Sequence, residues 1–175
     1  MNSNSNLGRK PTRMTRDEFI TAFGDVYEYS PWAADGAFEA GLTTDADSAA
    51  GLARLMASAV DAADPDAQLA LLRAHPDLAG KLALAGALTD DSAREQASAG
   101  LDQCTEEELA RFCELNARYM QQFGFPFIIA VRGLHRTDIL TQFEARVTHT
   151  YAAEFREAIG QVHRIAELRL AERLP

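Results

Sequence analysis

Four histidines occur among the 175 residues, and one of them, His75, has a distinctive setting. It closes an amphipathic stretch and is followed by Pro76, which lacks an N–H and biases the residue before it away from helical geometry. An imidazole at such a junction is held by the backbone and points into the space between helices. With an unperturbed pKa of about 6.5 it is the natural general acid or base at neutral pH. A junction histidine with no catalytic task is the competing reading. Glu95-Gln96 is the second candidate pair, three residues after Ser92. A carboxylate and an amide in a first helical turn, where N–H donors and partial positive charge gather, can orient an imidazole and bind a substrate amide. The same Ser92…Glu95 spacing also fits a capping box. Spacing leaves both readings open.

The last helical stretch carries Arg164, Arg169 and Arg173 among Glu157, Glu167 and Glu172. That pattern reads as a solvated, ion-paired face, although one inward arginine would supply an anion-binding fork. Spacing does not choose which. His135, His149 and His163 read as surface or interhelix residues. His163 and Glu167 form an i,i+4 pair, but no HExxH or Glu-x-x-His pattern accompanies it, so a metal site is rejected. Cys104 and Cys113 lie nine apart without CxxC or Cys/His spacing, which indicates neither zinc nor a disulfide framework. The expectation is reduced thiols in a cytoplasmic protein.

These side chains need helices to place them, and helix signals dominate. Thr15 with Glu18 is a capping box opening a stripe of Phe19, Phe23 and Val26/Tyr27. A short segment over 31–40 follows. Asp45 or Asp47 is expected to cap a third helix with Leu52, Leu55, Met56 and Val60 inward. Asp64-Pro65 starts a fourth, with Leu69 and Leu72 inward and a stop at His75-Pro76. Ser92 opens a helix that ends near Gly100. Thr105 with Glu108 starts a long one that aligns Leu109, Phe112, Leu115, Tyr119 and Phe123. The apolar, Pro-broken stretch 124–131 has no partner strand and reads as a buried connecting loop. Two final helices cover 137–147 and 151–174. The expectation is all-α: a flexible tail over 1–14, then one compact domain of about eight helices over 15–175.

Composition narrows the function. Hydrophobic residues at 47% and charged residues at 25% are ordinary for a globular chain of one core. A formal net charge of −9 argues against a nucleic-acid partner, whose phosphates need clustered Lys and Arg. No apolar run of about 18 residues occurs, so no membrane partner is expected. The polar start has no signal-peptide core.

Four stretches then fit together. His75-Pro76-Asp77-Leu78-Ala79-Gly80-Lys81, Ser92-Ala93-Arg94-Glu95-Gln96, Ala99-Gly100-Leu101-Asp102 and Phe123-Gly124-Phe125-Pro126-Phe127-Ile128 resemble the OHCU decarboxylase family in order and spacing, roughly over residues 14–172. Its members convert 2-oxo-4-hydroxy-4-carboxy-5-ureidoimidazoline (OHCU) to (S)-allantoin, the last step of uric acid oxidation. The resemblance implies a catalytic His75 with Pro76 beside it, the paired Glu95 and Gln96, and Ser92 lining the same pocket. It implies that the loop bearing Phe125, Phe127 and Ile128 binds the ureido or ring amides through its backbone, and that Arg169 is the substrate-binding arginine of the last helix. It also implies a small-molecule substrate, a homodimer, and no cofactor or metal, because the substrate's own C=N accepts the electrons released with CO₂. A ureide hydrolase and a non-catalytic helical ligand-binding module are the alternatives from other classes.

Overall fold

A threonine oxygen and a glutamate three residues later open two of the helices. Thr15 accepts from the Glu18 N–H while the Glu18 carboxylate accepts from the Thr15 N–H at 2.8 Å, and Thr105 and Glu108 repeat the exchange at 2.9 Å. The computed structural model describes residues 9–78, 94 and 100–174. Among them are seven α-helices: α1 (Arg16–Phe23), α2 (Trp32–Ala40), α3 (Ala49–Asp61), α4 (Pro65–Ala74), α5 (Glu106–Phe123), α6 (Arg136–Arg146) and α7 (Tyr151–Arg173). Short 3-10 turns occupy Pro11–Arg13, Thr44–Asp47 and Leu101–Gln103. The described residues contain no strand, in keeping with an all-α fold, and no described helix is long and apolar enough to cross a membrane.

Two local expectations change. The cap of α3 is Ser48, whose oxygen accepts from the Gly51 N–H at 3.1 Å, rather than Asp45 or Asp47. Those aspartates sit in the preceding 3-10 turn and have other partners: Asp47 accepts from the Thr12 N–H at 2.9 Å, and Asp45 pairs with Arg54 at 2.8 Å. Gly51 is required here, since a Cβ would stand 1.9 Å from the Asp45 carbonyl oxygen. In α4 the inward residues are Leu71 and Leu72, with Leu69 half-buried. The helix ends at Ala74, so His75-Pro76 lies just past it as expected.

The described chain divides into two compact units. The first runs to Ala74 and takes in α7 from His163 onward. Small residues Ala33, Ala34 and Ala37 of α2 and Leu52, Met56 and Val60 of α3 are buried where these helices pack, and Phe19 and Phe23 of α1 join them. Part of the stretch expected as a tail is built into this unit: Pro11 and Met14 are buried and Thr12 is bonded to Asp47. The turn between α1 and α2 is tied to α7 at three levels. Tyr27 Oη lies 2.8 Å from His163 Nδ1, whose Nε2 lies 3.0 Å from Asp61 Oδ1. Arg169 Nη1 donates to Glu28 Oε2 at 2.8 Å and to the Val26 carbonyl at 3.3 Å, and Arg173 pairs with Asp25. Tyr29 adopts φ +48, a left-handed conformation that costs energy for a non-glycine residue. Its ring stays 67% exposed while the neighbouring Glu28 is 1% exposed. The kink thus turns a carboxylate inward to meet an arginine.

The second unit spans residues 75–162. Gly124, at φ +71, ends α5 in the left-handed conformation that such caps favour. The chain then runs without regular structure through 125–131, and Phe125, Phe127 and Ile128 are buried, so the segment is a core loop as expected. Phe127 stacks on Phe143 of α6 at 3.9 Å, and Tyr119 of α5 meets both edge-on.

Two predictions follow from these contacts. The Thr105 N–H first, and Arg136 second, hold the Glu108 carboxyl below its ordinary 4.5. A carboxyl depressed on folding contributes stability that is present above 4.5 and lost as pH falls through the lower folded-state value. Glu108→Gln should therefore lower the melting temperature at neutral pH, with the gap from wild type closing below about pH 4; a gap of constant size would contradict the capping role. For the buried Glu28–Arg169 pair, removing either partner breaks a buried ion pair and should cost about 3–5 kcal/mol in urea unfolding. The double variant Glu28→Gln/Arg169→Met should lose clearly less than the two single losses combined, whereas additive losses would show the pair to be uncoupled.

Candidate active site

His75 leaves α4 in a non-helical position and is buried, at 7% exposure, with Nε2 enclosed. The segment after it is anchored from α5: Asn116 Nδ2 donates to Asp77 Oδ2 at 2.6 Å. Asn116 gave no signal in the sequence, being one polar residue on an amphipathic helix. Its amide oxygen is buried and has no hydrogen-bond partner among the described residues. Ser92, Glu95 and Gln96 lie outside the described residues.

The loop after α5 is fixed by a buried ionic cluster that sequence reasoning also missed. Arg146 of α6 donates from Nη1 to the Ile128 carbonyl at 2.7 Å, and its guanidinium lies 4.5 Å from the Phe127 ring centre. Its Nε and Nη2 donate to Glu154 Oε1 at 2.9 and 2.5 Å. Tyr119 donates to the same oxygen at 2.5 Å, and His149 Nδ1 lies 2.9 Å from Oε2. Neither Arg146 nor Glu154 stands out in the sequence, and only the fold shows both inward.

Of the three C-terminal arginines, Arg164 pairs with Glu167 at the surface and Arg173 with the exposed Asp25. Arg169, at 3% exposure, is the buried one. The expectation of a solvated face therefore holds for Arg164, whereas Arg173 is half-buried against the first helix and Arg169 is buried. Phe125 and Phe127 put their rings into the core, which leaves the loop backbone as the part of that segment suited to polar recognition. The remaining histidines have structural partners: His135 Nδ1 accepts from the Thr137 N–H at 3.4 Å to cap α6, while His149 and His163 are engaged as described. Glu167 is paired with Arg164, and among the described residues no group of three His, Cys, Asp or Glu is placed to hold a metal. Among the described residues, neither Cys104 nor Cys113 is in a disulfide.

Comparison with known proteins agrees with the motif reading. The family model described as OHCU decarboxylase matches residues 12–171. A Haloferax volcanii protein named 2-oxo-4-hydroxy-4-carboxy-5-ureidoimidazoline decarboxylase is 44% identical over 161 residues, covering 92% of each chain. A human protein named as a putative enzyme of the same kind is 37% identical over 165 residues, covering 94% of each. Among solved structures, the crystal structure of (S)-allantoin synthase superposes with a TM-score of 0.71 at 33% identity. It covers 94% of this chain, which spans about half (52%) of that protein. An OHCU decarboxylase crystallised in the presence of (S)-allantoin shares the fold at a TM-score of 0.64, with 21% identity over 81% of this chain and 89% of its own. With a match running from residue 12 to residue 171 and relatives this similar over nearly their whole length, the chain belongs to the OHCU decarboxylase family.

Proposed function

We propose that the chain converts OHCU to (S)-allantoin without a cofactor, with His75 as the acid–base group. That it is a carboxy-lyase of urate degradation follows from its family; the roles of individual residues are the proposal. The observation that carries them is His75 itself. It is buried just past the end of a helix, fixed by Pro76 and the Asn116–Asp77 bond, in the stretch that resembles the family's catalytic motif.

The substrate explains why so little machinery is needed. Its C4 bears both a hydroxyl and the carboxylate, and the adjacent C5 is doubly bonded to nitrogen. When the C4–carboxylate bond breaks, its electron pair forms C4=C5, the C=N pair moves to nitrogen, and that nitrogen takes a proton. The resulting enol loses its hydroxyl proton and gains one at C5, giving the C4 carbonyl of allantoin. The net change is replacement of CO₂ by one proton. His75 takes the hydroxyl proton, with Glu95 orienting the imidazole. Ser92, Gln96, Arg169 and the loop backbone hold the ring oxygens and ureido group, so that C5 is protonated from one face. Acid–base assistance of this kind is worth roughly 10²- to 10⁴-fold.

His75→Ala should remain folded while enantioselective decarboxylation of freshly generated OHCU falls to the spontaneous rate; wild-type turnover in that variant would remove His75 from the mechanism. Glu95→Ala should slow the reaction strongly, and normal turnover with a lowered melting temperature would leave it only a capping role. Release of CO₂ that survives chelator separates this reading from a metal-dependent ureide hydrolase, and its absence would favour a binding module.

A further inference from the structure

The loop over 125–131 has neither a helix nor a sheet ladder to hold its shape, yet residues 125–129 and Val131 are buried. Pro126 has no N–H to give, and the N–H groups of Phe127, Ile128 and Ile129 make no hydrogen bond among the described residues. Buried backbone donors are nearly always paired, so three in succession mark a place for acceptor oxygens. Two side chains pin the peptide planes that carry them. Arg146 Nη1 holds the Ile128 carbonyl at 2.7 Å, and because the peptide is planar this also sets the direction of the Ile129 N–H. Gln161 Oε1 accepts from the Ala130 N–H at 2.9 Å, which sets the next plane and its Ile129 carbonyl. Arg146 cannot turn, since Nε and Nη2 grip Glu154 at 2.9 and 2.5 Å and its face lies over Phe127.

We propose that Arg146 and Gln161 are positioning residues for the decarboxylation, aiming the Ile129 N–H at a carbonyl oxygen of the ureidoimidazoline. This rests on the function proposed above. Neither residue is placed against substrate; both act through the peptide between them. A lysine at 146 keeps the positive charge beside Glu154 but lacks the planar fork that reaches Glu154 and the Ile128 carbonyl together.

The test measures Arg146→Lys and Gln161→Leu in the full chain, with freshly generated OHCU. The readouts are KM, kcat, enantiomeric excess of allantoin, melting temperature and exchange of the Ile129 amide. Both variants should raise KM by about tenfold or more with a smaller change in kcat, lower the enantiomeric excess, and speed Ile129 exchange relative to amides in α5. A fall in melting temperature with KM, enantiomeric excess and Ile129 exchange unchanged would overturn the proposal and leave a structural role. Should Arg146→Lys fail to fold, Gln161→Leu decides alone by the same criteria, because Gln161 is only half-buried. Wild-type protein unable to decarboxylate OHCU would overturn the functional reading and this proposal with it, whereas active wild type with unaltered variants overturns this proposal only.

Discussion

A carboxylate removed from water, that of Glu154, sets the terms for the second unit. At 0% exposure it is tolerable only with its lone pairs occupied, and four donors or ring nitrogens from three residues do this: Tyr119, two nitrogens of Arg146, and His149. These come from α5, α6 and the approach to α7, so the charge can be satisfied only when the three are assembled. Burial first, and Glu154 second, push the Tyr119 hydroxyl well above the usual tyrosine range, which keeps it a donor. The guanidinium that answers Glu154 has one nitrogen left to reach the Ile128 carbonyl, and so the shape of an irregular loop is settled by an ion pair. Replacing such a pair with apolar residues need not weaken a fold; removing one member does. The arrangement therefore specifies geometry more than it adds stability.

The first unit uses the same device at another place on α7. Glu28 reaches Arg169 because Tyr29 takes a strained conformation, and burial holds the Tyr27 hydroxyl above its ordinary range where it meets His163. An arginine already gripped by a carboxylate presents a fixed fork rather than a mobile cation. That property suits the proposed role of Arg169, in which an oxygen of the substrate must be met without reorganisation.

Much of this was legible in the sequence, for local reasons. The capping boxes at Thr15 and Thr105, the stop at His75-Pro76 and the irregular loop after Gly124 all depend on neighbours within four residues. Ser48 displaced the two aspartates as a cap because Thr12, 35 residues away from Asp47, had claimed one of them. Arg146, Glu154, Glu28 and Asn116 escaped notice because each looks like a surface residue on its own helix or turn, and burial becomes visible only when distant elements meet. Arg169 stood among similar charges until the fold separated it from Arg164 and Arg173. The motif resemblance supplied what spacing could not.

In the proposed reaction the folded chain delivers a proton to one face of C5, beside the C4 that has just released CO₂. The direct measurement generates OHCU in D₂O with the protein present and follows circular dichroism and deuterium content of the allantoin. The expected product is (S)-allantoin with one deuterium at C5, formed faster than in buffer alone. Racemic product appearing at the spontaneous rate would contradict it.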